Sequence, residues 1–233
     1  MKILIVDDGV GAFPTLNKLK CGISADYTVK ILDGHFPLGN SSVQQLHSLA
    51  QATLCEAYDN GFDAVVFSSI ALSMTTVKHL YSQSRLPLFG CDIPLVHAGT
   101  YTASQVLAVG DDVVTRMAKK YPNVIALSLP QFAQLAESGA DEREVVAYVA
   151  ENAEKFSGSF DCIALGNSSM NLYKNCFSRV FPNARIFDSL DGVARKLHKT
   201  FKKNKTTDSS VCVLSESGLD LAEKYRFFLD EFS

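Results

Sequence analysis

Residues Phe62–Ser69 (FDAVVFSS) and Phe160–Asn167 (FDCIALGN) follow one pattern, a short apolar strand that ends in small polar residues. Ile3–Asp8 (ILIVDD) and Val106–Asp112 (VLAVGDD) form a second such pair. Strands that are apolar on both faces are typical of parallel sheets covered by helices on both sides. The repetition predicts two related α/β halves, and chance similarity between apolar strands is the alternative.

Apolar strands and helix-length segments alternate along the chain, which is typical of a parallel α/β fold. The predicted strands are Ile3–Val6, Thr28–Leu32, Ala64–Phe67, Leu86–Gly90, Gln105–Val109, Asn123–Leu127, Cys162–Leu165, Ala184–Phe187 and Val211–Leu214. Helical periodicity is clear in Ser42–Asn60, Met74–Ser82, Asp141–Phe156, Gly192–Lys203 and Leu219–Phe232. In such folds the functional residues lie in the loops at the carboxyl ends of the strands.

Composition narrows the class of function. The 233 residues are 47% hydrophobic and 20% charged, enough for a globular core, and the formal net charge of −3 argues against a general nucleic-acid binder. No stretch approaches the roughly 20 apolar residues of a membrane helix, and the apolar start is too short for a signal peptide, so we expect a cytoplasmic protein. The six cysteines form no C-x-x-C pair, which disfavours a zinc cluster or a disulfide framework.

The loop after the first strand reads Asp7-Asp8-Gly9-Val10-Gly11. Its glycines would let backbone amides approach an anionic ligand. An acidic pair after a first strand also occurs in phosphoacceptor receiver domains. Here the later strand ends in Ser68 and Ser69 rather than aspartate, which weakens that interpretation.

Serines and histidines supply the other polar loop residues. Five serines lie in or near the two equivalent loops: Ser68, Ser69, Ser73, Ser168 and Ser169. Their hydroxyls can donate hydrogen bonds to a carboxylate or cap helices. None lies in the G-x-S-x-G elbow of a serine hydrolase. No histidine pair has metal-ligand spacing along the chain, so we predict no metal site. His47, His79 and His198 fall in predicted helices as surface or packing residues, whereas His35 follows a strand and is a candidate for acid–base work.

Taken in order, these loops resemble the glutamate racemase branch of the aspartate/glutamate racemase superfamily. Asp161–Leu172 (DCIALGNSSMNL) is similar to the family's D-T-L-I-L-G-C-T-H-Y-P-L. The other similar segments are Asp7–Ala12 (family D-S-G-V-G-G), Pro37–Ser42 (P-Y-G-x-K-S), Gly61–Met74 (containing A-C-N-T-A-S), Leu86–Gly90 followed by Pro94 (I-P-V-V-G and a proline), Leu135–Gly139 (L-V-E-x-G) and Ile186–Ser189 (a strand and D-S). The resemblance therefore runs through nearly the whole chain.

The resemblance implies two similar flavodoxin-like parallel-sheet domains related by a pseudo-twofold axis. We place the first domain at residues 1–97 plus 207–233 and the second at 98–206. The resemblance also implies a reaction without cofactor. In that reaction one cysteine thiolate removes the α-proton of an amino acid, and a second thiol returns a proton on the opposite face. We therefore expect an interdomain pocket for a small carboxylate or amino acid.

Both thiol positions differ in this chain. Counted along the motifs, the first family cysteine falls on Ser69 and the second on Asn167. A serine hydroxyl stays protonated at neutral pH without a strong base, and an asparagine amide is no base at all. Cys91 and Cys162 lie at other positions. The sequence thus predicts a racemase-like protein without cysteine-dependent racemisation.

The resemblance assigns the remaining site residues. Asp7 and Glu137 match the acidic residues that assist the thiols, so the catalytic set is Asp7, Ser69, Glu137 and Asn167. The substrate-binding set is Asp8, Pro37, Leu38, Gly39, Ile70, Ala71, Ser168 and Ser169. The alternative is an active racemase, isomerase or related enzyme in the same cleft that uses Asp7, Asp8, Glu137 or His35 as acid and base. A homodimer is compatible with the resemblance, and neither a nucleic acid nor a membrane is an expected partner.

Overall fold

The described part of the chain divides into two units. The computed structural model describes residues 1–95, 98–99, 105–156, 160–201, 209–218 and 225. The first unit consists of Met1–Cys91 and the described residues from Leu190 onward, and the second of the described residues between Asp92 and Ser189.

Strands and helices alternate in both units. In chain order the elements are β1 (Lys2–Asp7), α1 (Ala12–Lys20), β2 (Asp26–Ile31), α2 (Val43–Asp59), β3 (Ala64–Phe67), α3 (Ile70–Leu80), β4 (Leu88–Gly90), β5 (Val106–Gly110), α4 (Asp112–Ala118), β6 (Val124–Ser128), α5 (Phe132–Glu137), α6 (Glu142–Ala153), β7 (Cys162–Leu165), α7 (Lys174–Val180), β8 (Arg185–Phe187), α8 (Leu190–Thr200) and β9 (Val211–Ser215). Short 3-10 turns cover Asp33–His35, Leu38–Asn40 and Ser168–Tyr173. None of the described helices has both the length and the apolar composition that crossing a membrane requires.

The first unit is built on a parallel sheet with the strand order β4-β3-β1-β2-β9. Its central strands β1 and β3 are buried over nearly their whole length, because helices cover both faces. Ser42 starts α2 with a capping box, in which its hydroxyl accepts the Gln45 N–H at 3.2 Å and its own N–H reaches the Gln45 side chain at 2.8 Å. The carboxyl ends of β1, β2, β3 and β4 lie at one edge of this sheet, which we call the first carboxyl edge.

The second unit is a smaller parallel sheet with the strand order β6-β5-β7-β8. Asp111 caps α4 by accepting the Val113 and Val114 N–H groups at 2.9 and 3.2 Å. The carboxyl ends of β5 to β8 form the second carboxyl edge. β2-β1-β3-β4 in the first unit and β6-β5-β7-β8 in the second are the same arrangement of strands, so the prediction of two similar parallel α/β sheets is confirmed.

The assignment of α8 differs from the sequence prediction. Residues 98–206 were predicted to form the second domain, but α8 packs on α1 and β4 and belongs with the first unit. Lys18 of α1 forms an ion pair with Asp191 of α8, and the ring of Phe201 lies 6.2 Å from that of Phe89. The units change between Cys91 and Asp92 and between Ser189 and Leu190, whereas the predicted boundaries are at 97–98 and 206–207. The predicted helix Leu219–Phe232 falls outside the described residues apart from Tyr225.

Candidate functional site

The first carboxyl edge brings together Asp7, Asp8, Leu38 and Ser69. Asp7 ends β1 and is 2% exposed. The carboxylate oxygen Oδ2 of Asp8 accepts the backbone N–H of Leu38 at 2.7 Å, and the Asp8 N–H donates to Oδ1 of Asp7 at 2.9 Å. The Asp8 carboxylate also hydrogen-bonds to the side chains of Ser69 and Asp7. Four positions that the resemblance groups together therefore meet in one hydrogen-bonded cluster.

Burial controls the protonation of this cluster. Removal from water raises the pKa of Asp8 above 3.8, and the hydrogen bonds from Leu38, Asp7 and Ser69 only partly oppose that rise. Two adjacent carboxyl groups that hydrogen-bond to each other share a proton more readily than they both ionise. Asp8 therefore keeps its proton to a higher pH than an exposed aspartate does.

Ser69 occupies the position between β3 and α3. Its side chain is buried at 3% exposure and makes no capping hydrogen bond to α3, which leaves its hydroxyl directed to Asp8. Ile70 and Ala71 form the first turn of α3 and are buried. These two side chains carry no polar atom, so they add no hydrogen-bond donor beside Ser69.

The segment Pro37–Gly39 is fastened to β1 by the same cluster. Leu38 is fully buried, whereas Pro37 and Gly39 are partly exposed. The Leu38 backbone N–H, a group that could have contacted a ligand, is already donated to Asp8. The predicted binding segment Pro37–Gly39 thus lies at the first carboxyl edge, and the backbone N–H of its central residue is already hydrogen-bonded to Asp8.

A separate buried network lies beneath these residues. The Ser68 hydroxyl donates to the Gly11 carbonyl at 3.1 Å and lies 2.7 Å from the Thr15 hydroxyl, which in turn is 3.8 Å from Sγ of Cys91. All of these side chains are buried. Sequence reasoning missed Thr15, although a polar residue on the buried face of α1 is a signal that could have revealed it. Ser68 therefore links the end of β3 to α1 and is not part of the acidic cluster.

His35 has a different partner. Its Nε2 lies 3.6 Å from a carboxylate oxygen of Glu216, and its side chain is 45% exposed. The neighbouring Asp33 accepts hydrogen bonds from Ser215, Glu216 and Ser217 in the turn after β9. The structure thus places His35 with the turn that follows β9.

The second carboxyl edge carries Asn167, Ser168 and Ser169. Oδ1 of Asn167 accepts two hydrogen bonds from Ser169, one from its backbone N–H at 3.0 Å and one from its hydroxyl at 2.8 Å. Ser168 and Ser169 are buried. The amide of Asn167 therefore caps the turn Ser168–Tyr173.

Glu137 belongs to the same unit as this turn. It ends α5, a helix that packs against Ser168–Tyr173. The rings of Phe132 and Tyr173 meet edge to face at 5.9 Å, and the Tyr173 hydroxyl donates to the Ala140 carbonyl at 2.9 Å. These contacts hold the helix that carries Glu137 beside the segment that follows Asn167.

Cys91 and Cys162 are buried and lie at positions other than Ser69 and Asn167. Cys91 follows β4 and is buried within the Thr15 network. Cys162 begins β7, at the opposite end of the strand from Asn167, and burial raises the pKa of its thiol. A raised pKa lowers the thiolate fraction, which makes Cys162 a poor base.

The described residues offer few side chains for binding a metal ion. Within the described ranges, no cluster of three or more histidine, cysteine, aspartate or glutamate side chains could hold a metal ion. The first carboxyl edge offers the adjacent carboxyl groups of Asp7 and Asp8, which already hydrogen-bond to each other. Proton transfer and ammonium binding are the chemistry that this pair can supply.

Comparison with known proteins shows a relationship in structure. No protein-family model matches the sequence, and no curated protein matches it. Escherichia coli glutamate racemase, solved with L-glutamate and an activator, superposes with a TM-score of 0.83 at 16% identity, over 100% of this chain and 95% of that one. Thermus thermophilus glutamate racemase gives a TM-score of 0.82 at 19% identity, over 96% and 92%. Klebsiella pneumoniae allantoin racemase is more distant, with a TM-score of 0.52 at 16% identity, over 85% and 86%. The chain therefore has the fold of these glutamate racemases.

Proposed function

We propose that this protein binds a small amine-bearing carboxylate or amino acid on a racemase fold and does not catalyse thiol-dependent racemisation. The observation that carries the proposal is the identity and bonding of Ser69 and Asn167, the two positions that match the family's cysteines. Ser69 is hydrogen-bonded to Asp8, and Asn167 caps the turn that contains Ser169.

Neither side chain can replace a thiolate. A cysteine has an ordinary pKa of about 8.5 that its surroundings can lower, whereas a serine hydroxyl needs an adjacent base to lose its proton. The carboxylate beside Ser69 has its proton affinity raised by burial, yet it is far too weak a base to deprotonate a hydroxyl fully. The amide oxygen of Asn167 already accepts two hydrogen bonds and carries no charge.

Charge at the first carboxyl edge favours an ammonium group. Asp7 and Asp8 place two acidic groups where the resembling family has one, and an ammonium ion would offset the cost of ionising both. Ile70 and Ala71 provide no side-chain donor for a carboxylate. The ligand is therefore held more by its amine than by its carboxylate. The interdomain pocket, the cytoplasmic location and the homodimer stay predictions.

The test is α-proton exchange followed by NMR in deuterated buffer, with D- and L-aspartate, D- and L-glutamate and other common amino acids. The same samples are scored for a ligand-induced shift in melting temperature. We expect a thermal shift with at least one amine-bearing compound and no deuterium at the α-carbon. Deuterium incorporation above background would overturn the absence of racemisation, and no thermal shift with any compound would overturn the binding role. An Asp8→Asn variant should lose the thermal shift if the ammonium is bound at this edge.

The second candidate is an enzyme that uses the acidic pair for proton transfer. The observation in its favour is the raised pKa of Asp8, because a carboxyl group whose pKa is raised by burial can act as an acid or base nearer neutral pH. Its test is a pH–rate profile on any compound that exchanges a proton. If Asp7 is the acid or base, Asp7→Asn abolishes the exchange; a pH–rate profile that this substitution leaves unchanged would exclude Asp7 from that role.

A further inference from the structure

Two histidines meet on the surface of the first unit. His47 lies on α2 and His79 near the end of α3, and their ring centres are 5.5 Å apart with the ring planes inclined by 58°. His79 is exposed and His47 is partly exposed. The pair is therefore open to solvent and to a dissolved ion.

Helices α2 and α3 each carry a histidine that is followed four residues later by a glutamine. α2 and α3 flank β3 in a sheet whose strands all run the same way, so the two helices also run in the same direction. Gln51 lies one helical turn after His47, and Gln83 lies four residues after His79. Both glutamines line a groove of about 440 Å³. Each histidine thus lies four residues before a glutamine that lines the groove.

The separation of the rings fits shared coordination of one metal ion. With metal–nitrogen bonds of 2.0–2.1 Å, each imidazole centre lies about 3.2 Å from the ion, and a tetrahedral angle puts the two centres about 5.2 Å apart. The observed 5.5 Å is close to that value. Imidazole nitrogen is a good ligand for zinc, copper and nickel.

We propose that His47 and His79 together bind a divalent first-row transition-metal ion, with Zn²⁺ the best fit to a tetrahedral site. Two protein ligands leave two positions for water or for a donor group of a molecule in the groove. The groove supplies further contacts through the Tyr58 ring, over which the Arg85 guanidinium lies at 5.0 Å, and through Gln51 and Gln83. The ion would link α2 to α3 and stabilise their packing.

The experiment is a calorimetric titration of the full chain with Zn²⁺, repeated with His47→Gln, His79→Gln and the double variant. We expect one ion per chain in the unsubstituted protein. Each single substitution should weaken binding by about tenfold or more, because one of the two imidazole ligands is lost. His198→Gln is the matched control, since His198 lies on α8 of the same unit against Gly22. Its affinity for Zn²⁺ should be unchanged.

The exposed thiols require a second control. Cys55 lines the groove and is itself a zinc ligand by type. Binding that persists in Cys55→Ser but disappears in the double histidine variant supports the proposal, as does a rise in melting temperature with Zn²⁺ that the double variant lacks. Failure of Zn²⁺ to bind, or equal binding by the double variant, would show that the two rings form an aromatic contact only.

Discussion

Asp8 and Leu38 are joined by a 2.7 Å hydrogen bond from the Leu38 backbone N–H to Oδ2 of the Asp8 side chain. The bond spans 30 positions of the sequence and fastens the segment Pro37–Gly39 to the end of β1. The residue that adds negative charge to this edge is thus also the residue that holds a predicted binding segment in place. A substitution at Asp8 therefore tests stability and ligand binding at once.

Asp8→Asn is expected to stabilise the protein at neutral pH. Because burial raises the pKa of Asp8 above 3.8, the folded protein holds this proton more tightly than the unfolded chain does. The stability that Asp8 contributes is present below pH 3.8 and is lost as pH rises through its raised pKa. An asparagine oxygen can still accept the Leu38 N–H and carries no charge. The melting temperature of the variant should exceed that of the parent by an increasing amount as pH rises from 4 to 8. A variant less stable than the parent at pH 7 would mean that the ionised carboxylate is net stabilising.

The lowered pKa of Asp33 predicts the opposite dependence of stability on pH. Burial alone would raise its pKa, but hydrogen bonds from Ser217 and Ser215 outweigh burial and lower it. Its stabilising effect is therefore present above pH 3.8 and is lost as pH falls through the lowered pKa. Asp33→Asn should cost about 1–2 kcal/mol at pH 7, because hydrogen bonds to the charged carboxylate are lost, and less at pH 3. Urea denaturation at the two pH values measures this. Asp59→Asn, at an exposed position, is the control and should change stability by less than about 0.5 kcal/mol.

Two glycines should respond oppositely to alanine. A Cβ at Gly166 would lie 2.4 Å from Cγ2 of Val114 and 2.9 Å from the Val109 carbonyl oxygen, which is too close for either to remain in place. Gly166→Ala should therefore destabilise the second unit by about 1–3 kcal/mol. Gly192 lies in α8 with nothing within 4 Å of its built Cβ, so Gly192→Ala should stabilise by about 0.5–1 kcal/mol. Urea unfolding compares the two variants, and a neutral Gly166→Ala would show that Val114 can move aside.

The strands of both sheets could be predicted from sequence because their signal is local. A run such as Ala64–Phe67, apolar at every position, indicates a strand buried on both faces. The polar residues that follow such strands lie at the carboxyl edges, where the structure has Asp7 at the end of β1, Ser69 before α3 and Asn167 after β7. Local pattern and motif order were sufficient for these features.

Contacts between distant segments could not be predicted in the same way. The hydrogen bond from Leu38 to Asp8 and the meeting of His47 with His79 depend on how helices and loops settle on the sheet, and neither leaves a local signature. The assignment of α8 failed for the same reason. Its amphipathic pattern predicts a helix but does not specify which sheet the helix covers.

Restoring both thiols tests whether the fold still supports racemisation. The double variant Ser69→Cys with Asn167→Cys is expected to show no α-proton exchange, or only a trace, with D- or L-glutamate and aspartate. Asn167 caps the turn that contains Ser169, and a thiol is a weaker hydrogen-bond acceptor for the Ser169 N–H and hydroxyl, so the new cysteine would not be held in a fixed position. At the other edge, the Ile70 and Ala71 side chains offer the restored thiol no hydrogen bond. NMR in deuterated buffer measures the exchange, and each single variant is the matched control. Rapid exchange by the double variant alone would show that the thiols are the only groups that the scaffold lacks.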